Sequence, residues 1–161
     1  MRKKRMSILF LSGILLLWGC GPKGNLQGVQ VKPDPLWKPA SSEISGGGFQ
    51  YAKAMPGGSV RVMGSLALVD PRIYKGDSQD FRKYRDAVHG TFREAIIGKL
   101  GGYRAMKVRY DSGGGEASYL YLIDVAGDID VTLTIVGQEG DLPAATAEWQ
   151  EYIKDMELAY K

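Results

Sequence analysis

Between Tyr103 and Val136 the chain passes through three β-strand patterns in succession, and the middle one dictates much of what the rest must do. Residues Glu116 to Val125 put Tyr119, Tyr121, Ile123 and Val125 on one side and Leu120 and Leu122 on the other. Successive side chains of a strand point to opposite faces, so a strand apolar on both must be covered on both. The following stretch, Ile129 to Val136, alternates Ile129, Val131, Leu133 and Ile135 against Asp130, Thr132 and Thr134. Asp111-Ser112-Gly113-Gly114-Gly115 and Gly127-Asp128 supply the turns that join the three strands into a meander.

Other segments must provide the cover. Upstream, Phe49-Gln50-Tyr51-Ala52 reads as a short strand ended by Met55-Pro56-Gly57-Gly58. Ser59 to Val69 reads as a longer strand with Val60, Val62, Leu66 and Leu68 at period two. From Ser78 to Ile97 the spacing turns helical: Phe81, Tyr84, Val88, Phe92, Ala95 and Ile96 share a stripe, with Asp77 placed as N-cap and Gly90 as a weak point. A second amphipathic helix opens at Asp141-Leu142-Pro143 and carries Ala145, Trp149, Tyr152, Ile153, Met156 and Tyr160 on its apolar side. The expected fold is α+β: an antiparallel sheet of about five or six strands flanked by helices, an α-β-α sandwich.

The N-terminus carries a different kind of signal. Arg2, Lys3, Lys4 and Arg5 precede an apolar run from Met6 to Trp18. That run is shorter than the roughly 20 apolar residues a membrane-spanning helix needs, and it matches the apolar region of a secretory signal peptide. It closes on Leu17-Trp18-Gly19-Cys20, which resembles the lipobox of bacterial lipoproteins. That resemblance implies removal of residues 1–19, with cleavage between Gly19 and Cys20, and acylation of Cys20. Several acyl chains, at about 0.8 kcal/mol per buried methylene, would hold the chain to a membrane. Cys20 is the only cysteine, so no intramolecular disulfide is available. The whole chain has 21 Lys+Arg against 18 Asp+Glu, but four of those cations sit in the leader. What remains is slightly acidic, without the basic footprint of a nucleic-acid binder. Residues 20–48, with Pro22, Pro33, Pro35 and Pro39 among many glycines, read as a lipidated N-terminus and flexible linker, of which Trp37 is expected to dock on the domain. Residues 49–161 read as one globular domain.

Little in this chain announces catalysis. The one histidine, His89, lies inside the first helical pattern, with no G-x-S-x-G nucleophile motif anywhere in the chain. Asp124, Asp128 and Asp130 gather at a turn but do not follow an EF-hand spacing. The glycines at 46–48 and 113–115 do not sit between a strand and a helix as a phosphate loop requires, and Gly90 to Gly98-Lys99 is spaced too widely for one. Arg72, Lys75, Arg82, Lys83 and Arg85 are interleaved with Asp70, Asp77, Asp80 and Asp86, the pattern of a solvated face. No catalytic residue, metal ligand or cofactor is expected.

The order strand, strand, helix, three strands, helix, behind a lipobox and a linker, resembles the PsbP-like superfamily and, within it, the DcrB-type lipoproteins. The residues that carry it are Gly48-Phe49-Gln50-Tyr51 through Met55-Pro56-Gly57, Gly101-Gly102-Tyr103-Arg104-Ala105, and Thr132-Leu133-Thr134-Ile135-Val136-Gly137 before a helix with Trp149. Gly58-Ser59 stands where the family usually has a tryptophan. The resemblance implies an α-β-α sandwich and a non-enzymatic accessory module that binds an envelope protein complex. The bilayer, through the N-terminal acyl groups, would be the other partner. Gly21 in place of an aspartate after the acylated cysteine favours the periplasmic side of the outer membrane over the inner membrane. Two alternatives stand beside it. One is a small-ligand binder or minor hydrolase using a cleft lined by Tyr119, Tyr121 and Tyr152. The other is a secretion-system lipoprotein, although the type VI example is a β-sandwich.

Overall fold

The computed structural model describes residues 25–40, 47–67, 91–127 and 129–160. Seven strands form one antiparallel sheet: β2 (Lys38–Pro39), β3 (Phe49–Met55), β4 (Gly58–Ala67), β5 (Thr91–Leu100), β6 (Tyr103–Gly113), β7 (Glu116–Ala126) and β8 (Ile129–Gln138). Their spatial order is β2-β3-β4-β8-β7-β6-β5. A separate two-stranded ribbon joins β1 (Leu26–Gln30) to β9 (Glu157–Tyr160). The helix α1 (Leu142–Lys154) follows a 3-10 turn at Glu139–Asp141 and has Pro143 in its first turn, where a missing N–H costs nothing.

The meander β6-β7-β8 is as the alternation requires. Tyr119, Tyr121 and Ile123 are buried on one face of β7, and Leu120 and Leu122 on the other. Gly113, Gly114 and Gly115 all take positive φ at the β6–β7 hairpin, the conformation that favours glycine there. The principal core lies between the sheet and α1. Val60 and Val62 from β4, Val131, Leu133 and Ile135 from β8, and Leu142, Ala145, Trp149 and Ile153 from the helix all belong to it. A second cluster, Met106, Val108, Tyr110, Leu120 and Leu122, lies on the opposite face under β5, β6 and β7, with Phe92 and Ala95 packed against it.

Trp149 organises the principal core. Its ring stacks on Phe49 at 5.5 Å between centroids and 8° between planes. It also meets Trp37 edge-on at 5.4 Å and Tyr152 edge-on at 5.6 Å, with Tyr51 tilted against it at 5.8 Å. Phe49 reaches this position by lying across Gly64, its partner on β4; a Cβ at residue 64 would collide with the ring.

Four expectations are corrected. Thr91 to Ile97, read as the end of a helix, belongs to strand β5; the earlier part of that pattern, from Ser78, lies outside the described residues. The cause is a β-bulge between Phe92 and Glu94. The bulge shifts the alternation by one residue, so Phe92 and Ala95 fall on the same face at a spacing of three, which imitates a helical stripe. The sheet has seven strands where five or six were expected, with α1, the one α-helix among the described residues, on one face.

The third correction concerns the linker. Residues 26–39 include β1 and β2; Val29, Val31 and Trp37 are buried, Trp37 at 2 % exposure. The prolines and glycines there serve an irregular but packed path, in which the Val29 N–H donates to Gly47 O at 3.0 Å. The terminal helix likewise stops at Lys154. Met156 is buried beyond it and Tyr160 lies on β9, because β1 offers that segment a partner strand. Replacing Trp37 with alanine should therefore cost about 3–5 kcal/mol of unfolding free energy in urea, the usual penalty for emptying a buried aromatic site. A docked-in-name-only linker would give a change near zero.

Candidate functional site

The two outer edges of the sheet are unlike. At one edge β2 is two residues long and ends in Pro39, which cannot donate to a further strand. At the other edge, among the described residues, β5 is ten residues long. Two isoleucines stand exposed in its centre, Ile96 at 52 % and Ile97 at 44 %. The register places Ile96 opposite Lys107 and Ile97 opposite Met106, so they point to opposite faces, and the space beside Gly98 is open. A long edge strand with apolar side chains is the surface on which another strand can add, since its outward N–H and C=O groups have no ladder partner among the described residues.

On the α1 side of the sheet this edge continues into a charged shelf. Glu94 of β5, Lys107 and Arg109 of β6 and Tyr119 of β7 follow one another across the strands by register. The Lys107 ammonium sits 3.7 Å from the centroid of the Tyr119 ring, a close cation–π contact. The Arg109 guanidinium donates to Glu139 Oε1 at 2.5 Å and to Asp111 Oδ1 at 3.4 Å, and Arg93 Nε donates to the other oxygen of Asp111. Arg109 Nε is buried without a partner. β6 and β7 are joined by the Gly113–Gly115 turn, and the Glu139 N–H donates to Gly115 O at 3.0 Å, which seats Glu139 beside Arg109.

The titration behaviour follows from these contacts. The hydrogen bond from Arg93 first, then the charges of Arg93 and Arg109, outweigh partial burial and hold the Asp111 carboxyl below its ordinary value. Burial raises the Tyr119 phenol despite the opposing charge of Arg109, and burial raises Tyr121 as well. Burial works against the charged form of Arg109, but Glu139 and Asp111 together raise its pKa. Three cations and three carboxylates (Arg93, Lys107, Arg109; Glu94, Asp111, Glu139) thus form a balanced, pre-oriented set around an apolar strand edge. Such a set suits recognition of a peptide backbone with polar side chains; a phenol with a raised pKa is no base at neutral pH.

Several residues singled out from the sequence fall elsewhere. Gly19, Cys20, His89 and Asp128 lie outside the described residues, as do Arg72, Lys75, Arg82, Lys83 and Arg85. Asp124 accepts hydrogen bonds from the Arg104 guanidinium, and Asp130, opposite it on β8, is buried. Among the described residues no group of three potential ligands could hold a metal ion. Tyr119 and Tyr121 are 8 % and 5 % exposed and Tyr152 packs on Trp149, so the three tyrosines contribute to the core. Lys107, Arg109 and the β5 isoleucines are visible only in the structure. The signal for the cations was the alternation of β6 itself, which places Lys107 and Arg109 on the same face as Ala105, where a fully covered strand would carry apolar residues.

No protein-family model matches this chain, and no curated protein is similar to it.

The raised phenols have a measurable consequence. A folded pKa above the ordinary 10.0 means the folded state holds its proton more tightly. The corresponding stability is fully present below about pH 10 and is lost as the pH rises through the folded values. In an alkaline titration followed by phenolate absorbance, Tyr119→Phe and Tyr121→Phe should each remove part of the latest-ionising amplitude. Loss of early amplitude instead would contradict the burial of these rings. For Asp111 the sign is opposite: its contribution is present above 3.8 and is lost as the pH falls through its lower folded value.

Proposed function

We propose that this chain is a lipoprotein of the bacterial envelope, anchored through Cys20, whose domain is a non-catalytic accessory module that binds another envelope protein. The observation that carries the binding half of this reading is the β5 edge, ten residues long with Ile96 and Ile97 exposed, beside the Lys107–Arg109–Tyr119 shelf. An extended segment of the partner would add antiparallel or parallel to β5, its main chain supplying affinity and the shelf reading its side chains. The contrast with the blunted β2 edge supports this: among the described residues, one edge ends in a two-residue strand with Pro39 and no strand pairs with the outer side of β5.

The anchoring half is supported by the basic leader, the apolar run and the Leu17-Trp18-Gly19-Cys20 sequence. No helix among the described residues is long and apolar enough to cross a membrane. In this reading the domain lies on the periplasmic side, at the outer membrane in a two-membrane cell. The finer fold reading, an α-β-α sandwich of the PsbP- and DcrB-like kind, is supported by the buried second cluster of Met106, Val108, Tyr110, Leu120 and Leu122, which requires a layer over that face.

Crosslinking in intact cells followed by detergent extraction and mass spectrometry tests both halves. Ile96→Lys changes an exposed side chain, so its stability should stay within about 0.5 kcal/mol of wild type. It should nevertheless lower capture of the discrete partner by about tenfold or more, as loss of an interface anchor does. Cys20→Ala should release the domain from the membrane and abolish capture without unfolding. Undiminished capture by Ile96→Lys would remove β5 as the binding edge, and full complementation by the unanchored chain would contradict the role of the lipid.

A further inference from the structure

The position of β1 sets how far the domain can stand from its anchor. β1 starts at Leu26, so only residues 21–25 separate it from Cys20. At no more than about 3.6 Å per residue, the Leu26 Cα lies within about 22 Å of the acylated residue even when the chain is fully extended. A domain of this size has a radius of gyration of about 13–15 Å. Such a tether keeps the body close to the bilayer, and the end of the molecule that holds Leu26 is the end it holds nearest the lipid.

That end is apolar. Leu26, Leu66, Ala67 and Ile129 line an open recess of about 260 Å³. Beside it, Tyr160 is the partner of Leu26 across the β1–β9 ribbon and is 52 % exposed. We propose that this end docks on the surface of the bilayer that holds the acyl chains, with Leu26, Ala67 and Ile129 against the headgroup–acyl boundary and Tyr160 among the headgroups. A tyrosine suits that depth because its ring is apolar and its hydroxyl wet. A patch this small would bind a membrane weakly by itself. The anchor changes this by making the contact intramolecular, at an effective concentration fixed by the short tether. The opposite end of β4, at Ser59, stands about 23 Å away along the strand and faces the aqueous side. The inference rests on the lipoprotein reading of Cys20.

The test uses the mature lipidated chain, reconstituted into vesicles of phosphatidylethanolamine and phosphatidylglycerol. The mass of its N-terminal peptide reports acylation. Nitroxide labels go on Tyr160→Cys and on Ala126→Cys, an exposed site in the neighbouring β7–β8 turn, with Ser59→Cys as the distal control. Each variant is compared with its unanchored counterpart carrying Cys20→Ala. Docking predicts that anchoring lowers access of a water-soluble nickel chelate to the labels at 160 and 126 severalfold, raises their access to oxygen, and leaves the label at 59 unchanged. Equal chelate access in anchored and soluble forms would overturn the docking while leaving the anchor intact. Spin–spin broadening that grows with the protein-to-lipid ratio would place a second copy on this end and also overturn it. A missing acyl mass would refute the anchor itself, and the docking with it.

Discussion

Trp149 stands where four segments distant in sequence meet: the N-terminal stretch through Trp37, strand β3 through Phe49 and Tyr51, its own helix through Tyr152, and, through Phe49, strand β4 at Gly64. Each ring of this size removes about 150–250 Å² from water, and well-placed aromatic pairs add about 0.5–1.5 kcal/mol beyond that burial. The neighbouring residue on the helix fastens the same contact from the polar side. Glu148 accepts from Trp37 Nε1 at 2.8 Å and from Lys53 Nζ at 2.7 Å, joining the N-terminal stretch and β3 to α1. Within this cluster Trp149 Nε1 is buried without a partner, at a cost of about 1–3 kcal/mol that the ring packing has to offset.

From that contact the rest follows in order. With Trp37 fixed, residues 26–39 are part of the body, and β1 can pair with the chain's last strand. With β1 fixed, Leu26 lines the same recess as Leu66, Ala67 and Ile129, and only residues 21–25 separate it from Cys20. A long, loose spacer would have let the domain range over tens of ångströms and left its orientation free. Under the proposed lipid anchor, the packed N-terminal stretch would act as an orienting device, with the β5 edge at the side of the sheet farthest from β2.

How much of this the sequence carried depends on the kind of signal. The doubly apolar β7 and the alternation of β8 were legible because a period of two is a direct imprint of the pleat. The glycines at 113–115 marked their hairpin because only glycine accepts those backbone angles readily. Strand β5 was misread because a bulge is a change of phase, and a shifted period of two looks locally like a helix. The N-terminal stretch was misread because proline and glycine report a preference against regular structure, not against packing; Trp37 was the one residue in it whose type pointed to burial. The shelf was hidden for another reason. Lys107 and Arg109 gain their meaning from Tyr119, Glu139 and Asp111, brought to them by strand pairing, and no local pattern records that.

The central claim is that the Trp149 contact joins β1, β9 and the sheet into one cooperative unit that begins within a few residues of Cys20. Native-state hydrogen exchange on the mature chain reads this directly, through the amides of Val29 in β1, Leu158 in β9 and Leu133 in β8. If the claim is right, all three exchange with the same opening free energy, equal to that of global unfolding, and Trp149→Phe lowers all three together. If Val29 and Leu158 exchange freely while Leu133 remains protected, the N-terminal stretch is a tether after all, and the orientation argued from it fails.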